Sequence, residues 1–155
     1  MHDLLVPLYR LPEAPPVPSG ILIRQVFQAE LKTATEWVRQ EFSDGWATEF
    51  SYAANLSPSA AYIALSNEAI IGFACFDAAA KGVFGPTGVA EAGRGRGVGT
   101  ALLFRVMTDM RAAGYAYAVI GAAGPIEYYE RVVGAARIDG GAPGFLGSLV
   151  KKPKE

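Results

Sequence analysis

Between Gly85 and Leu103 the chain reads GPTGVAEAGRGRGVGTALL. Glycines at 93, 95, 97 and 99 alternate with Arg94 and Arg96, then Val98, and run straight into an apolar stretch. A glycine loop that opens a helix is suited to an anion. The helix end carries about half a positive charge, and its first amides lack intrahelical acceptors. Glycine lets those amides approach a phosphate with no Cβ in the way, and two guanidinium groups add charge-assisted contacts. The competing reading is a glycine-rich turn with solvated arginines. Two nucleotide motifs fail on spacing. A P-loop ends in Gly-Lys-Ser/Thr, which is absent. A dinucleotide fingerprint needs Gly-x-Gly-x-x-Gly on the first strand–helix turn, whereas Gly95-x-Gly97-x-Gly99 lies past the middle of the chain.

Other reactive side chains are few. His2 is the only histidine, so a Ser–His or Cys–His nucleophile has no natural partner here. Cys75, inside GFACFDA, reads as a small core residue. Tyr128 and Tyr129 open a late helix and offer phenols as proton donors. Asp77, at the end of a strand, and Glu49, after Trp46 on an early helix, are alternative carboxylate bases or merely solvated acids. Trp46, Phe50, Tyr52 and Phe145 are candidates for an acceptor pocket, with burial in the core the first reading for each.

Positioning these groups takes a series of alternating elements. Gly20–Phe27 has strand alternation, and Ala29–Phe42 places Leu31, Thr35, Val38 and Phe42 at helical spacing. A second short helix spans Trp46–Leu56 and stops at Ser57-Pro58. Ala60–Ser66 and Ala69–Ala78 flank Asn67-Glu68 as a hairpin. Gly82–Val89 is a third strand in which Pro86 cannot donate and Gly85 and Gly88 invite a bulge. A helix over Gly97–Ala113 carries Leu103, Met107 and Met110 on one face. Tyr115–Ala123 is a nearly all-apolar strand, Pro125–Ala135 a helix entered through proline, and 136–151 supply one or two last strands. Residues 1–19, with five prolines, form an extended arm. Its LLVPLY segment pairs either on a sheet edge of its own chain or across a homodimer interface. Residues 20–155 form the globular domain.

Composition narrows the function classes. A chain of 155 residues, 51% hydrophobic and 19% charged, can bury one real core. Fourteen Lys and Arg against fifteen Asp and Glu give a formal net charge of −1, with no bulk attraction to nucleic acid or anionic membrane. One cysteine favours a reducing compartment. The N-terminus has no cationic leader region and is broken by Pro7, and no apolar run reaches membrane-spanning length. A soluble, cytoplasmic location is expected.

Arg94-x-x-Gly97-x-Gly99, the preceding GPTGV strand and the later YYERVVGA, in this order of elements, resemble the GCN5-related N-acetyltransferase (GNAT) superfamily over about residues 20–151. FACFDA, FGPTGV and RGRGVG are similar to an uncharacterised bacterial branch of it. The resemblance implies an α/β fold: a mixed, mostly antiparallel sheet of six to seven strands flanked by about four helices, splayed between the fourth and fifth core strands. It implies acetyl-CoA as cosubstrate, with no metal. The pyrophosphate would be held by Arg94, Gly95, Arg96, Gly97, Val98, Gly99 and Thr100. The pantetheine arm would pair with Thr87, Gly88 and Val89 like an added strand, and the Val89 amide would polarise the thioester carbonyl. Tyr129 matches the tyrosine that commonly protonates the sulfur; Ala122 departs from an asparagine that many relatives carry seven residues earlier. The expected reaction is direct acetyl transfer to a primary amine of a small molecule. A CoA-binding regulatory module, a transferase with a non-amine acceptor, and an enzyme acetylating a protein amine are the alternatives.

Overall fold

A computed structural model describes residues 1–154. Its seven strands are β1 (His2–Pro7), β2 (Ile21–Gln25), β3 (Ala61–Ser66), β4 (Ala69–Phe76), β5 (Val83–Val89), β6 (Tyr117–Ala123) and β7 (Ala136–Arg137). They form one sheet in the order β2-β3-β4-β5-β6-β1-β7. The helices are α1 (Leu31–Glu41), α2 (Asp44–Ala54), α3 (Val98–Ala112) and α4 (Ile126–Val133). Every pairing is antiparallel except β5 with β6. The architecture is the mixed, mostly antiparallel sheet with four helices that the resemblance implies.

Local chemistry explains most elements. Asn67 and Glu68 both take positive φ, 49° and 65°, which matches the twist a two-residue hairpin loop needs between β3 and β4. Ser43 accepts the Trp46 amide at 3.1 Å and starts α2 two residues earlier than the apolar pattern suggests. Gly134, in the left-handed region at φ 68°, ends α4. In α1 the fully buried positions are Ala34 and Val38, while Leu31 and Phe42 are only partly covered. The α3 face is as expected, with Leu103, Met107 and Met110 all buried.

Side-chain alternation assigns the two faces of the sheet. A Cβ on Gly72 would lie 3.1 Å from Leu102 and 3.3 Å from Val98, so α3 rides close on that face. Its neighbour Phe73 points the other way and packs against Phe42, Trp46 and Phe50, with ring centroids 5.3, 5.9 and 5.8 Å away. Thus α1 and α2 cover the second face.

Both ends of the chain are more specific than the sequence reading. Of the two pairings expected for LLVPLY the structure has the one within its own chain, but inside the sheet rather than on its edge: His2–Pro7 lies between β6 and β7. Leu4, Val6 and Leu8 alternate inward and are fully buried, and the strand ends at Pro7, where the missing amide costs least. Only residues 11–18 keep the irregular, proline-rich character. At the other end, β7 has two residues and 145–148 form a 3-10 turn. Gly140 and Gly144, at φ 73° and 101°, bend the chain. Backbone groups there go to Asp3 instead of a ladder: the Asp3 amide donates to Gly141 and its carbonyl accepts from Ile138.

Candidate active site

β5 and β6 pair only at Val83–Val119 and Phe84–Ile120 and then separate. The cause lies in β5. Three residue steps from Phe84 to Thr87 face two steps from Phe76 to Ala74 on β4, so β5 carries a bulge at Gly85-Pro86, with Gly85 at φ 114°. Past the bulge the strand follows β4 and leaves β6. The Ala90 amide donates to the Ile71 carbonyl at 2.8 Å. By alternation the Gly88 amide also faces β4, while the amides of Thr87 and Val89 face the side where no strand follows. An extended ligand could take up those groups as an extra strand would.

The same strand leads into the glycine-arginine loop. A 3-10 turn at Glu91–Gly93 drops the chain onto α3, and Gly97 takes the cap position at φ 78°, ψ 11°. That left-handed conformation suits glycine. The first helical bond runs from the Ala101 amide to the Gly97 carbonyl, so the amides of Val98, Gly99 and Thr100 have no helical acceptor. The Val98 side chain is buried and anchors the helix; its amide is what the loop offers. Residues 94–97 are exposed. Arg94 donates to the Val89 carbonyl at 3.4 Å and Arg96 to the Ser66 hydroxyl at 3.4 Å, so both guanidiniums lie at the rim of the loop. Free amides, a helix N-terminus and two exposed cations fit a pyrophosphate.

Tyr128 and Tyr129 diverge from α4. The Tyr128 hydroxyl hydrogen-bonds to Thr100 at 2.6 Å and ties α4 to the first turn of α3. Tyr129 is 8% exposed and lines a cavity of about 200 Å³ where β5 and β6 part, together with Pro86, Thr87, Ile120 and Trp46. No side-chain hydrogen bond holds its hydroxyl among the described residues. Burial, and secondly the neighbouring Tyr128, push its phenol up to about 12. The phenol therefore stays protonated around neutral pH.

A second cavity, of about 360 Å³, adjoins the first across Phe84, Gly85, Pro86, Gly121 and Ala122 and opens on the α2 side of the sheet. Glu49 lines it beside Trp46. Burial raises the Glu49 carboxyl above its usual range. The two adjoining cavities place a phenol, Tyr129, and a carboxylate, Glu49, along the gap between β5 and β6.

Asp77 is not brought to this place. It occupies the β4–β5 turn at φ 57°, accepts the Gly82 amide at 2.7 Å and the Tyr115 hydroxyl at 2.7 and 2.8 Å, and lies 3.8 Å from the Lys81 ammonium. Its oxygens are committed to the turn, and it lines neither cavity. Of the aromatics, Trp46 borders both cavities. Phe50 is fully buried, Tyr52 is exposed away from them, and Phe145 covers Gly121. Cys75 is buried, and its thiol is pushed well up by that burial and by Glu49, which leaves it unreactive. Among the described residues no cluster of His, Cys, Asp and Glu could hold a metal, and no helix is long and apolar enough to cross a membrane.

Sequence reasoning missed Asp3. Its carboxylate accepts the amides of Ala122 at 2.8 Å and Phe145 at 2.9 Å and so joins β1, the end of β6 and the C-terminal segment beside the second cavity. The available signal was an acid set among apolar residues, in a strand read as an arm.

The profile of the Acetyltransferase (GNAT) family matches residues 29–138. None of the curated proteins matches the chain by sequence. Among solved structures the chain resembles a GCN5-related N-acetyltransferase from Sphaerobacter thermophilus, with TM-score 0.71 and 23% identity over 88% of this chain and 48% of that one. It also resembles the GCN5-related glucosamine N-acetyltransferase region of a fungal multi-domain GH3 beta-N-acetylglucosaminidase, with TM-score 0.69 and 16% identity over 88% and 19%. A GNAT family acetyltransferase from Brucella melitensis, solved in complex with acetyl-CoA, gives TM-score 0.54 and 21% identity over 72% and 80%. At such identities the likeness is one of fold, and the chain spans half or less of the first two.

Proposed function

The chain belongs to the Acetyltransferase (GNAT) family, and on that premise we propose that it transfers the acetyl group of acetyl-CoA to a primary amine of a small molecule. One observation carries the reading: β5 leaves β6 after two pairs, the opening is lined by Tyr129 and, in the adjoining cavity, Glu49, and β5 itself leads into the glycine-capped start of α3.

In this reading the amides of Gly95 to Thr100, with Arg94 and Arg96, hold the pyrophosphate. Thr87, Gly88 and Val89 line the pantetheine arm, through the backbone groups of Thr87 and Val89 that face the gap. The Val89 amide donates to the thioester oxygen as charge grows on it. Glu49, made more basic by burial, takes the proton from the attacking amine. The new C–N bond forms as the C–S bond breaks, and Tyr129 gives its proton to the departing sulfur. Asp77 has no part in these steps; it holds the turn from which β5 begins.

Mixing the protein with acetyl-CoA and a panel of amines, and following free thiol, tests the proposal. Thiol release that depends on the amine, with an equal amount of N-acetylated amine, is expected. Tight CoA binding with no turnover on any amine would favour a regulatory CoA-binding module instead.

A further inference from the structure

The second cavity has an unusual balance of walls. Glu49 carries the only ionisable side chain lining it; Trp46, Val83, Phe84, Leu146 and Leu149 supply most of the rest. A ligand here meets one side-chain carboxylate and mostly hydrocarbon, with Met1 and the backbone of Gly85, Gly121 and Ala122 completing the wall.

The wall formed by the C-terminal segment is anchored rather than loose. Asp3 is 8% exposed, and both of its carboxylate oxygens accept backbone amides, one from Ala122 and one from Phe145. Its own amide and carbonyl bond to Gly141 at 2.8 Å and Ile138 at 3.1 Å. Three bonds thus fix the segment to Asp3, and the fourth fixes Asp3 to the end of β6. Phe145 then packs against Gly121, where a Cβ would come within 2.7 Å of its ring. Leu146 follows directly and faces the cavity from this fixed position.

Resting on the transferase reading above, we infer that the acceptor is a primary monoamine with a compact apolar body, of the aryl-ethylamine or branched alkylamine class. Its ammonium meets Glu49, and its body packs on Trp46 and the Leu146–Leu149 wall. Polyamines, aminosugars and lysine side chains in peptides bring further cations, hydroxyls or amides. Against these mostly apolar walls such groups lose water and find few partners. Each unpartnered polar group lowers kcat/KM by about tenfold or more.

The test is kcat/KM at saturating acetyl-CoA for 2-phenylethylamine, isoamylamine, spermidine, glucosamine and a lysine peptide blocked at its N-terminus. Both apolar monoamines are expected to exceed the other three by at least about tenfold. Leu146→Asp and Leu149→Asp, each shown to be folded by circular dichroism, place a second carboxylate on the wall. At least one is expected to shift the ratio of 2-phenylethylamine to spermidine toward spermidine by about tenfold, with KM for acetyl-CoA unchanged. Faster acetylation of spermidine, glucosamine or the peptide overturns the acceptor class and leaves the transferase reading standing. An unchanged ratio in both variants overturns the assignment of the wall. No transfer to any amine by protein that binds acetyl-CoA overturns the transferase reading, and the acceptor class with it.

Discussion

Replacing Tyr129 by phenylalanine removes one oxygen and little else. The Tyr129 ring keeps its packing on Tyr128, 5.1 Å away between centroids, and the lost hydroxyl had no side-chain partner to strand. The stability change should therefore stay below the ~1 kcal/mol of a typical hydrogen bond. The effect on catalysis is larger. Losing a general acid typically costs ~10²–10⁴-fold. A thiol with an ordinary pKa near ~8.5 is already a fair leaving group at neutral pH, which moves the expected loss in kcat down to about 10–10³-fold. Because the phenol of Tyr129 is pushed up to about 12, it stays protonated through mildly alkaline pH, and its ionisation should put no downward limb on the wild-type rate there. Tyr128→Phe is the control. It breaks the 2.6 Å bond to Thr100 and loosens the first turn of α3, so it should raise KM for acetyl-CoA while kcat holds. Steady-state thiol release on one good amine separates the two parameters. If Tyr128→Phe loses kcat and Tyr129→Phe keeps it within twofold, the acid has been placed on the wrong tyrosine.

Gly97→Asp should fold, since aspartate tolerates the left-handed region, and calorimetry should show CoA affinity down by about 10²-fold; a carboxylate at ~5–6 Å from one phosphate charge opposes it by about 3 kcal/mol at an effective dielectric of ~20. Unchanged affinity in the folded variant would remove the pyrophosphate from this loop. Glu49→Gln should lower kcat/KM at neutral pH by about 10²-fold or more. The wild-type rate should rise as pH passes the raised Glu49 pKa and again as free amine accumulates, whereas the variant should keep only the second rise; identical pH profiles would dismiss Glu49 as base. Asp77→Asn should cost about 1–2 kcal/mol of stability through the Gly82 and Tyr115 bonds, read as a lower Tm, with kcat per folded molecule unchanged. A large kcat loss at unchanged Tm would return Asp77 to the chemistry.

Features that act through local backbone rules were legible in the sequence. Gly85 announced a bulge, which falls at Gly85-Pro86 while Gly88 pairs regularly with Phe73; Asn67-Glu68 announced a hairpin, and the nearly all-apolar run to Ala123 an interior strand of the sheet. Features made by distant partners were not. In β1 the alternation of Leu4, Val6 and Leu8 was present, but four prolines from Pro12 to Pro18 made the whole segment look like an extended arm, with its pairing left between its own sheet edge and a second copy. Its strand partners sit beyond Ala116. Asp3 bonds two backbone amides 119 and 142 residues away, and an amide leaves no mark on a sequence. Asp77 at the end of a strand and Glu49 on an early helix looked equivalent as candidate carboxylates. A positive φ and three committed donors at Asp77, against a half-buried cavity wall at Glu49, distinguish them, and neither property is written in residue type.

Direct transfer from acetyl-CoA to an amine is most plainly tested by mass spectrometry of a reaction mixture at single turnover, following chain, amine and CoA together. The expected result is one N-acetylated amine for each CoA thiol released, with the mass of the protein unchanged throughout. Accumulation of an acetylated chain before any acetylated amine, or thiol released with no acetylated amine, would contradict it.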